Sequence, residues 1–420
     1  MAIPPRPSPT PPPGSVRHPF PRPFRPLCAL LLVAWFVTPL AAPRAADYSA
    51  WKNGPPNDPT FFPIAVWLQS PANAARYQAA GINTYVGLWQ GPTEEQLATL
   101  RAAGMKVICE LNETARRHLD DPTIIGWMHG DEPDNAQSLG DGQGYGPPIP
   151  PARIVADYER LRALDPTRPI LLNLGQGVAW DDWHGRGVRS RHPEDYPEYV
   201  RGGDIVSFDI YPVVHDRPAV SGNLWFVADG VRRLVGWAGD RRIVWNCLEC
   251  TRISHPTAKA TPHQVRAEAW MSLIHGSRGL IYFVHEWKPR FNESALLDDP
   301  DMLRAVTALN REIRELAAVL NRPAPRSPAP VSVTSAEPGV PVAATSRELQ
   351  GTNYIFAVAL RAGTTAVTFK LPEPIADGRV EVLNESRSLP LANGTFRDDF
   401  APWAVHLYRV APPPTAAPAK

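Results

Sequence analysis

From Phe61 onward, short apolar runs rich in β-branched and aromatic residues alternate with stretches whose apolar positions recur at helical spacing. That is the pattern of successive βα units around a parallel sheet. The runs predict strands over Phe62–Trp67, Thr84–Leu88, Lys106–Glu110, Ile124–Met128, Ile170–Leu174, Ile205–Ile210, Arg242–Trp245 and Gly279–Val284. The stretches between them carry helix punctuation. Ser70-Pro71 opens the first helix and Gly81 closes it, with proline in the first turn and glycine past the end. Thr93 and Gln96 form a capping box for the second, which Gly104 ends. Thr261-Pro262 opens another that stops by Gly276, and Leu303, Val306, Leu309, Ile313 and Leu316 set the apolar stripe of the last. Trp237 and Trp270 fall inside helical patterns and are assigned to the core.

Eight such units over 47–321 match a closed (β/α)8 TIM barrel, which takes roughly 250 residues. An open doubly wound sheet normally has fewer strands and a Gly-rich phosphate loop after the first. No such loop follows Trp67. Beyond a stiff Pro-rich linker, 322–330, shorter alternating runs over 331–410 predict a small antiparallel β-sandwich with an Asn393-Gly394 turn. The fold class is therefore α/β: a TIM barrel followed by a small antiparallel β-sandwich. A Pro/Ala tail, expected to be disordered, ends the chain at 411–420.

Composition changes this picture mainly at the ends. Much of the excess in the 49 prolines of this 420-residue chain sits at the N-terminus, the linker and the tail. Residues 1–46 read as an export signal, with Arg17, Arg22 and Arg25 before an apolar run from Leu27 to Leu40 and small residues after it. The expectation is a secreted or periplasmic protein, membrane-anchored only if the signal stays uncleaved, with no stable membrane insertion after cleavage. A formal net charge of +1 gives no reason to expect a nucleic-acid partner. Cys247 and Cys250 form a lone C-x-x-C without a second pair or nearby histidines, so buried thiols are the favoured reading and a disulfide stays open. No cofactor or metal is expected.

In a barrel of this kind, the residues just after each strand face the active site. That rule selects Trp67 at the end of the first strand, Trp89 after the second and Asn112 after the third. It selects His129, Asp131 and Glu132 after the fourth, Asn173 on the fifth, and Asp209 and Tyr211 after the sixth. Glu249 follows the seventh, and Glu286 and Trp287 follow the eighth. Aromatic rings that stack on sugars recur in this set, and carboxylates end strands four and seven on opposite sides of the barrel. Two carboxyl groups about 5–5.5 Å apart are what a retaining glycosidase needs.

With Glu132 in Asp131-Glu132-Pro133, Glu249 in Leu248-Glu249-Cys250, Tyr211 in Asp209-Ile210-Tyr211 and Trp287 ending strand eight, the chain resembles the clan of retaining (β/α)8-barrel glycoside hydrolases. That clan includes β-galactosidases, cellulases and β-mannanases. The resemblance covers about 61–287 and implies Glu132 as acid/base, Glu249 as nucleophile and a β-linked carbohydrate substrate. It implies substrate contacts at Trp67, Trp89, Asn112, His129, Asp131, Asn173, Asp209, Tyr211, Glu286 and Trp287. Asp131 stands where the clan usually has Asn, and Asp209 where it has His, which marks a divergent member.

From the chemistry, Tyr211 should support an ionised Glu249, and Glu132 should have a raised pKa that Asp131 helps to raise. Glu286 is the rival nucleophile. A non-catalytic carbohydrate-binding barrel and a metal-dependent hydrolase are the competing functions. Sugar, linkage, endo or exo action and oligomeric state are not read from the sequence.

Overall fold

A computed structural model describes residues 47–140, 142–323, 331–372 and 377–411. The expected export segment, most of the linker and nearly all of the tail lie outside the described residues. Nine parallel strands form one sheet: β1 (Ile64–Trp67), β2 (Thr84–Val86), β3 (Lys106–Cys109), β4 (Ile124–Met128), β5 (Ile170–Leu174), β6 (Ile205–Phe208), β7 (Ile243–Val244), β8 (Asn246–Glu249) and β9 (Leu280–Phe283). Their order, β7-β6-β5-β4-β3-β2-β1-β9-β8, is that of an eight-stranded barrel whose seventh strand is split in two. β7 bonds to β6 and β8 bonds to β9, so the break at Trp245 is where the cylinder closes. The seventh strand runs further than expected and carries Glu249 as its last residue.

The strands are buried on both faces, which is why their sequences are continuous apolar runs. One alternate set (Ala65, Val86, Ile108, Ile125, Leu171, Ile205, Trp245, Ile281) fills the barrel. The other (Val66, Tyr85, Val107, Leu172, Val206, Leu248, Tyr282) packs beneath the helices. Trp245 plugs the lower barrel, its indole N–H donating to the Tyr48 hydroxyl at 2.8 Å. A Cβ at residue 279 would lie 2.5 Å from that ring, so Gly279 is required for the close approach.

The outer layer comprises α1 (Ala74–Ala79), α2 (Glu94–Ala102), α3 (Glu113–Arg116), α4 (Pro151–Leu164), α5 (Tyr196–Tyr199), α6 (Trp225–Ala238), α7 (Pro262–Ile274), α8 (Pro300–Glu315) and α9 (Ala317–Leu320). The capping box predicted at Thr93 is present, and a second one opens α7 at Thr261. Among the described residues no helix is long and apolar enough to cross a membrane.

The C-terminal part is a two-sheet sandwich of β10 (Ser332–Ser335), β11 (Val342–Leu349), β12 (Thr352–Ala359), β13 (Thr365–Lys370), β14 (Gly378–Val382), β15 (Arg387–Leu391), β16 (Thr395–Phe400) and β17 (Val405–Val410). One sheet is β10-β13-β16 and the other β11-β12-β17-β14-β15, all antiparallel. β15 and β16 flank the predicted Asn393-Gly394 turn, and charges such as Arg397 and Asp399 alternate with the apolar positions of β16. Ile355, Ala357 and Ala359 face the sandwich interior. Phe356 and Val358, on the opposite face of β12, join the barrel's helical core, where the Phe356 and Trp270 rings lie 5.1 Å apart. The sandwich therefore braces the outer side of α7.

Candidate active site at the mouth of the barrel

Glu132 is set by the turn that follows β4. The Glu132 N–H donates to the Asn173 carbonyl at 3.1 Å, and the Asn135 N–H closes a turn onto the Glu132 carbonyl, also at 3.1 Å. Glu132 itself adopts a left-handed backbone, φ 42°, which is costly for a residue with a side chain. A Cβ on Gly175 would lie 2.9 Å from Glu132 Oε1 and 2.8 Å from the Asn135 amide, so a side chain there would displace both from these positions. The loop is anchored from below by buried Asp134, which accepts from the Gly175 N–H at 2.9 Å and the Tyr196 hydroxyl at 2.8 Å.

This turn brings the Glu132 carboxyl against Asp209, the first residue after β6. Burial pushes Glu132 well above the usual carboxylate range, with Asp209's charge next and Asp131's after it. Burial also raises Asp209 to about 7, moderated by its hydrogen bond with Glu132 and by the Tyr211 hydroxyl. Asp209 Oδ1 is buried and receives no hydrogen bond from a protein N–H or hydroxyl. Two carboxyl groups in contact cannot both ionise, so the pair holds one proton between them near neutrality.

Asp131 lies at the surface as a residue, but its carboxyl is turned into this cluster. Its Oδ1 accepts from Asn173 Nδ2 at 3.0 Å. Burial, with Asp134's charge adding, raises Asp131 to about 6 despite the Asn173 hydrogen bond. Asn173 is fixed in turn by the Ser207 hydroxyl at 2.7 Å.

Glu249 is placed elsewhere. It is 0% exposed, and its two oxygens accept from the Val213 N–H at 2.6 Å and the Val214 N–H at 3.1 Å. Burial raises it to about 7, and the group beside it is Glu268 of α7, whose own pKa burial and the charge of Glu249 push well up. The expected convergence of Glu132 and Glu249 is thus not what the structure contains. Tyr211 sits beside Asp209 instead of Glu249, and no face of the Glu249 carboxylate is open to a sugar. The reason is local: two consecutive amides of the loop after β6 bind the carboxylate and draw it beneath that loop.

Other expected contacts also have structural partners. Trp67 is 6% exposed and packs in the barrel interior. Asn112 caps α3, accepting from the Ala115 N–H at 2.9 Å and donating to the Pro92 carbonyl at 2.9 Å. His129 is buried, its Nδ1 accepting from the Gly130 N–H at 2.8 Å. Glu286 is ion-paired with Arg252.

Trp89 and Trp287 do line open space. With Phe291, Gln69, Ser70 and Glu293 they border a cleft of about 650 Å³ at the ends of β9, β1 and β2. This concavity is not at the Glu132–Asp209 pair. An aromatic row joins the two regions: Tyr211 to Phe283 at 5.2 Å, Phe283 to Trp287 at 5.6 Å and Trp287 to Phe291 at 5.9 Å.

Three features were missed by reading strand ends. Glu268 lies mid-helix on α7, where its only signal is a carboxylate amid a helix buried nearly all round. Trp183 stands in the loop after β5, in a W-x-x-W-H run that the strand-end rule could have flagged. Phe291 comes eight residues past β9. Cys109, Cys247 and Cys250 are separate buried thiols without a disulfide. Among the described residues, no group of His, Cys, Asp or Glu is arranged to hold a metal ion.

Neither a protein-family model nor a curated protein matches this chain. Solved structures do. A GH42 β-galactosidase, Gan42B from G. stearothermophilus, superposes with a TM-score of 0.51 at 10% identity, covering 86% of this chain and 100% of that one. A noncanonic maltogenic α-amylase, AmyB from Thermotoga neapolitana, gives 0.50 at 10% identity, covering 85% and 100%. The chain is thus similar in fold to (β/α)8-barrel glycoside hydrolases, the group its strand ends resemble. At this identity the likeness establishes the fold.

Proposed function

We propose that this chain is a glycoside hydrolase with Glu132 as acid/base and Asp209, in place of Glu249, as the nucleophile. The observation that carries this is the pair of carboxyls brought into contact at the barrel mouth, where burial favours one proton between them. Burial and the neighbouring Asp209 keep Glu132 protonated, as a general acid needs. Asp209, partly open and next to the Tyr211 hydroxyl, is the member that ionises. Inverting enzymes hold their carboxyls roughly 6.5–9.5 Å apart to seat a water, whereas retaining ones hold them about 5–5.5 Å apart. A pair in contact leaves no gap for such a water, and the double displacement requires the two carboxyls to part to about 5–5.5 Å as a sugar enters between them.

In the first step an Asp209 oxygen bonds to the anomeric carbon as the glycosidic C–O bond breaks, and the Glu132 proton passes to the leaving oxygen. In the second, water adds to the anomeric carbon, gives a proton to the Glu132 carboxylate, and Asp209 is released. Asp131, held by Asn173, lies where it can accept from a sugar hydroxyl. A β-linked substrate follows from the clan resemblance, and the N-terminal segment supports an exported enzyme.

The test is a panel of aryl α- and β-glycosides. Asp209→Asn and Glu132→Gln should each lower kcat/KM by about 10³ or more, on the scale of losing a covalent or acid/base group. Proton NMR of the first-formed sugar should show retained configuration. If Glu249→Gln alone abolishes turnover while Asp209→Asn stays active, the assignment of the nucleophile fails. The enclosure of Glu249 favours one second reading, a carbohydrate-binding barrel without turnover. It predicts binding with no hydrolysis across the panel.

A further inference from the structure

Trp89 is 68% exposed, Phe291 59% and Trp287 44%, and all three line the same cleft. Large rings left in water at one place mark a binding surface. The Trp89 backbone is also anchored. The capping box of α2 places Gln96 so that its Nε2 donates to the Trp89 carbonyl at 3.0 Å, while its Oε1 accepts from the Thr93 N–H at 2.9 Å. The backbone beneath the indole is therefore fixed before any ligand arrives, which lowers the entropy lost on binding. Polar groups sit between the rings: the Glu293 carboxylate, its Oε1 on the Ser70 N–H at 2.6 Å, and the Ser70 hydroxyl. Flat apolar faces interleaved with hydroxyl-binding groups suit a sugar, with its C–H faces and equatorial hydroxyls, and the volume is in the range of ligand sites.

A second aromatic wall stands diametrically across the barrel, in the loop after β5. Trp183 donates its indole N–H to Asn135 Oδ1 at 2.8 Å, and Asn135 and Glu132 approach the same face of Gly175. Trp180 lies 6.1 Å and exposed His184 4.5 Å from the Trp183 ring, centroid to centroid. Going across the mouth, the order is thus the Trp89–Phe291 cleft, the carboxyl pair, then Trp183.

We propose that these two walls are sugar platforms on either side of the cleavage point, so that the substrate is an oligo- or polysaccharide bound across the mouth and cut within the chain. The cutting rests on the hydrolase reading; the platforms do not. The probes are β-1,3- and β-1,4-linked gluco-, galacto-, manno- and xylo-oligosaccharides of two to six units, titrated calorimetrically into Glu132→Gln, with hydrolysis by the wild-type chain followed in parallel.

In at least one series, Kd should fall tenfold or more from the disaccharide to the pentasaccharide. In the same background, Trp89→Ala and Trp183→Ala should each raise the pentasaccharide Kd about tenfold and affect the disaccharide less. Trp89→Phe, which keeps a ring, should recover most of the loss. Affinity that does not grow with length, equal losses at both lengths, or no binding by any series overturns the proposal. Length-dependent binding with no wild-type hydrolysis would sink the hydrolase reading and leave the platforms standing. Hydrolysis of aryl monoglycosides without length dependence would do the reverse.

Discussion

Replacing Glu268 by glutamine should make the folded chain more stable, by an amount that grows with pH. Glu268 is wholly buried on α7 against Glu249, and neither of its oxygens meets a protein N–H or hydroxyl donor. In the unfolded chain it would release its proton near its ordinary value of 4.5, but in the fold burial and the Glu249 charge hold the proton well above that. From pH 4.5 upward the native state therefore binds one more proton at this site than the unfolded state. Stability then falls by about 1.4 kcal/mol per pH unit. Over the interval to pH 7 the loss is about 3 kcal/mol.

Glu249, raised to about 7, sheds a comparable amount over the same interval and then levels off. Glutamine keeps the volume of Glu268, never ionises, and offers Glu249 an N–H. The Glu268→Gln variant should thus match the wild type near pH 4.5, apart from a constant offset, and exceed it by about 3 kcal/mol more at pH 7. Urea denaturation followed by tryptophan fluorescence at half-unit pH steps measures this difference directly. A gap that stays constant between pH 4.5 and 7 would refute the buried, proton-sharing pair.

Three further outcomes follow from the same physics. The kcat/KM profile should be bell-shaped, with its acid limb near pH 7: below it Asp209 is protonated and no nucleophile exists, and well above it the shared proton is lost and no acid remains. A profile with its acid limb near pH 4 would contradict the coupled pair. Asn112→Ala should lower stability by about 1 kcal/mol, as for loss of a helix N-cap, with KM for any glycoside nearly unchanged. A large KM effect would return Asn112 to the substrate site. Phe356→Ala should cost about 3–5 kcal/mol in denaturation, since the ring is fully buried between sandwich and α7. A cost below about 1 kcal/mol would mean that the sandwich does not brace the barrel.

The eight barrel strands were legible because each is a run buried on both faces, and the Thr93 capping box was legible because its signal lies within four residues. The strand-end rule located Glu132, Asp131, Asn173, Asp209 and Tyr211, which the fold gathers at one place. It could not say which carboxyl meets which. The partner of Glu132 depends on where the β4 turn points the side chain, and that is decided by the left-handed backbone at Glu132 and the space left by Gly175. The fate of Glu249 depends on two amides from another strand's loop and on a glutamate one helix away. Trp67 ends β1 and Trp89 follows β2, yet the first fills the barrel and the second stands in water.

Local pattern by itself determined the order of elements, the barrel and the presence of a β-rich C-terminal part, because periodicity and caps act over a few residues. Only the tertiary structure decided the pairing of carboxyls, the enclosure of Glu249 and the cleft at β9, β1 and β2. Proton sharing, desolvation and exposure are properties of groups brought together from distant parts of the chain.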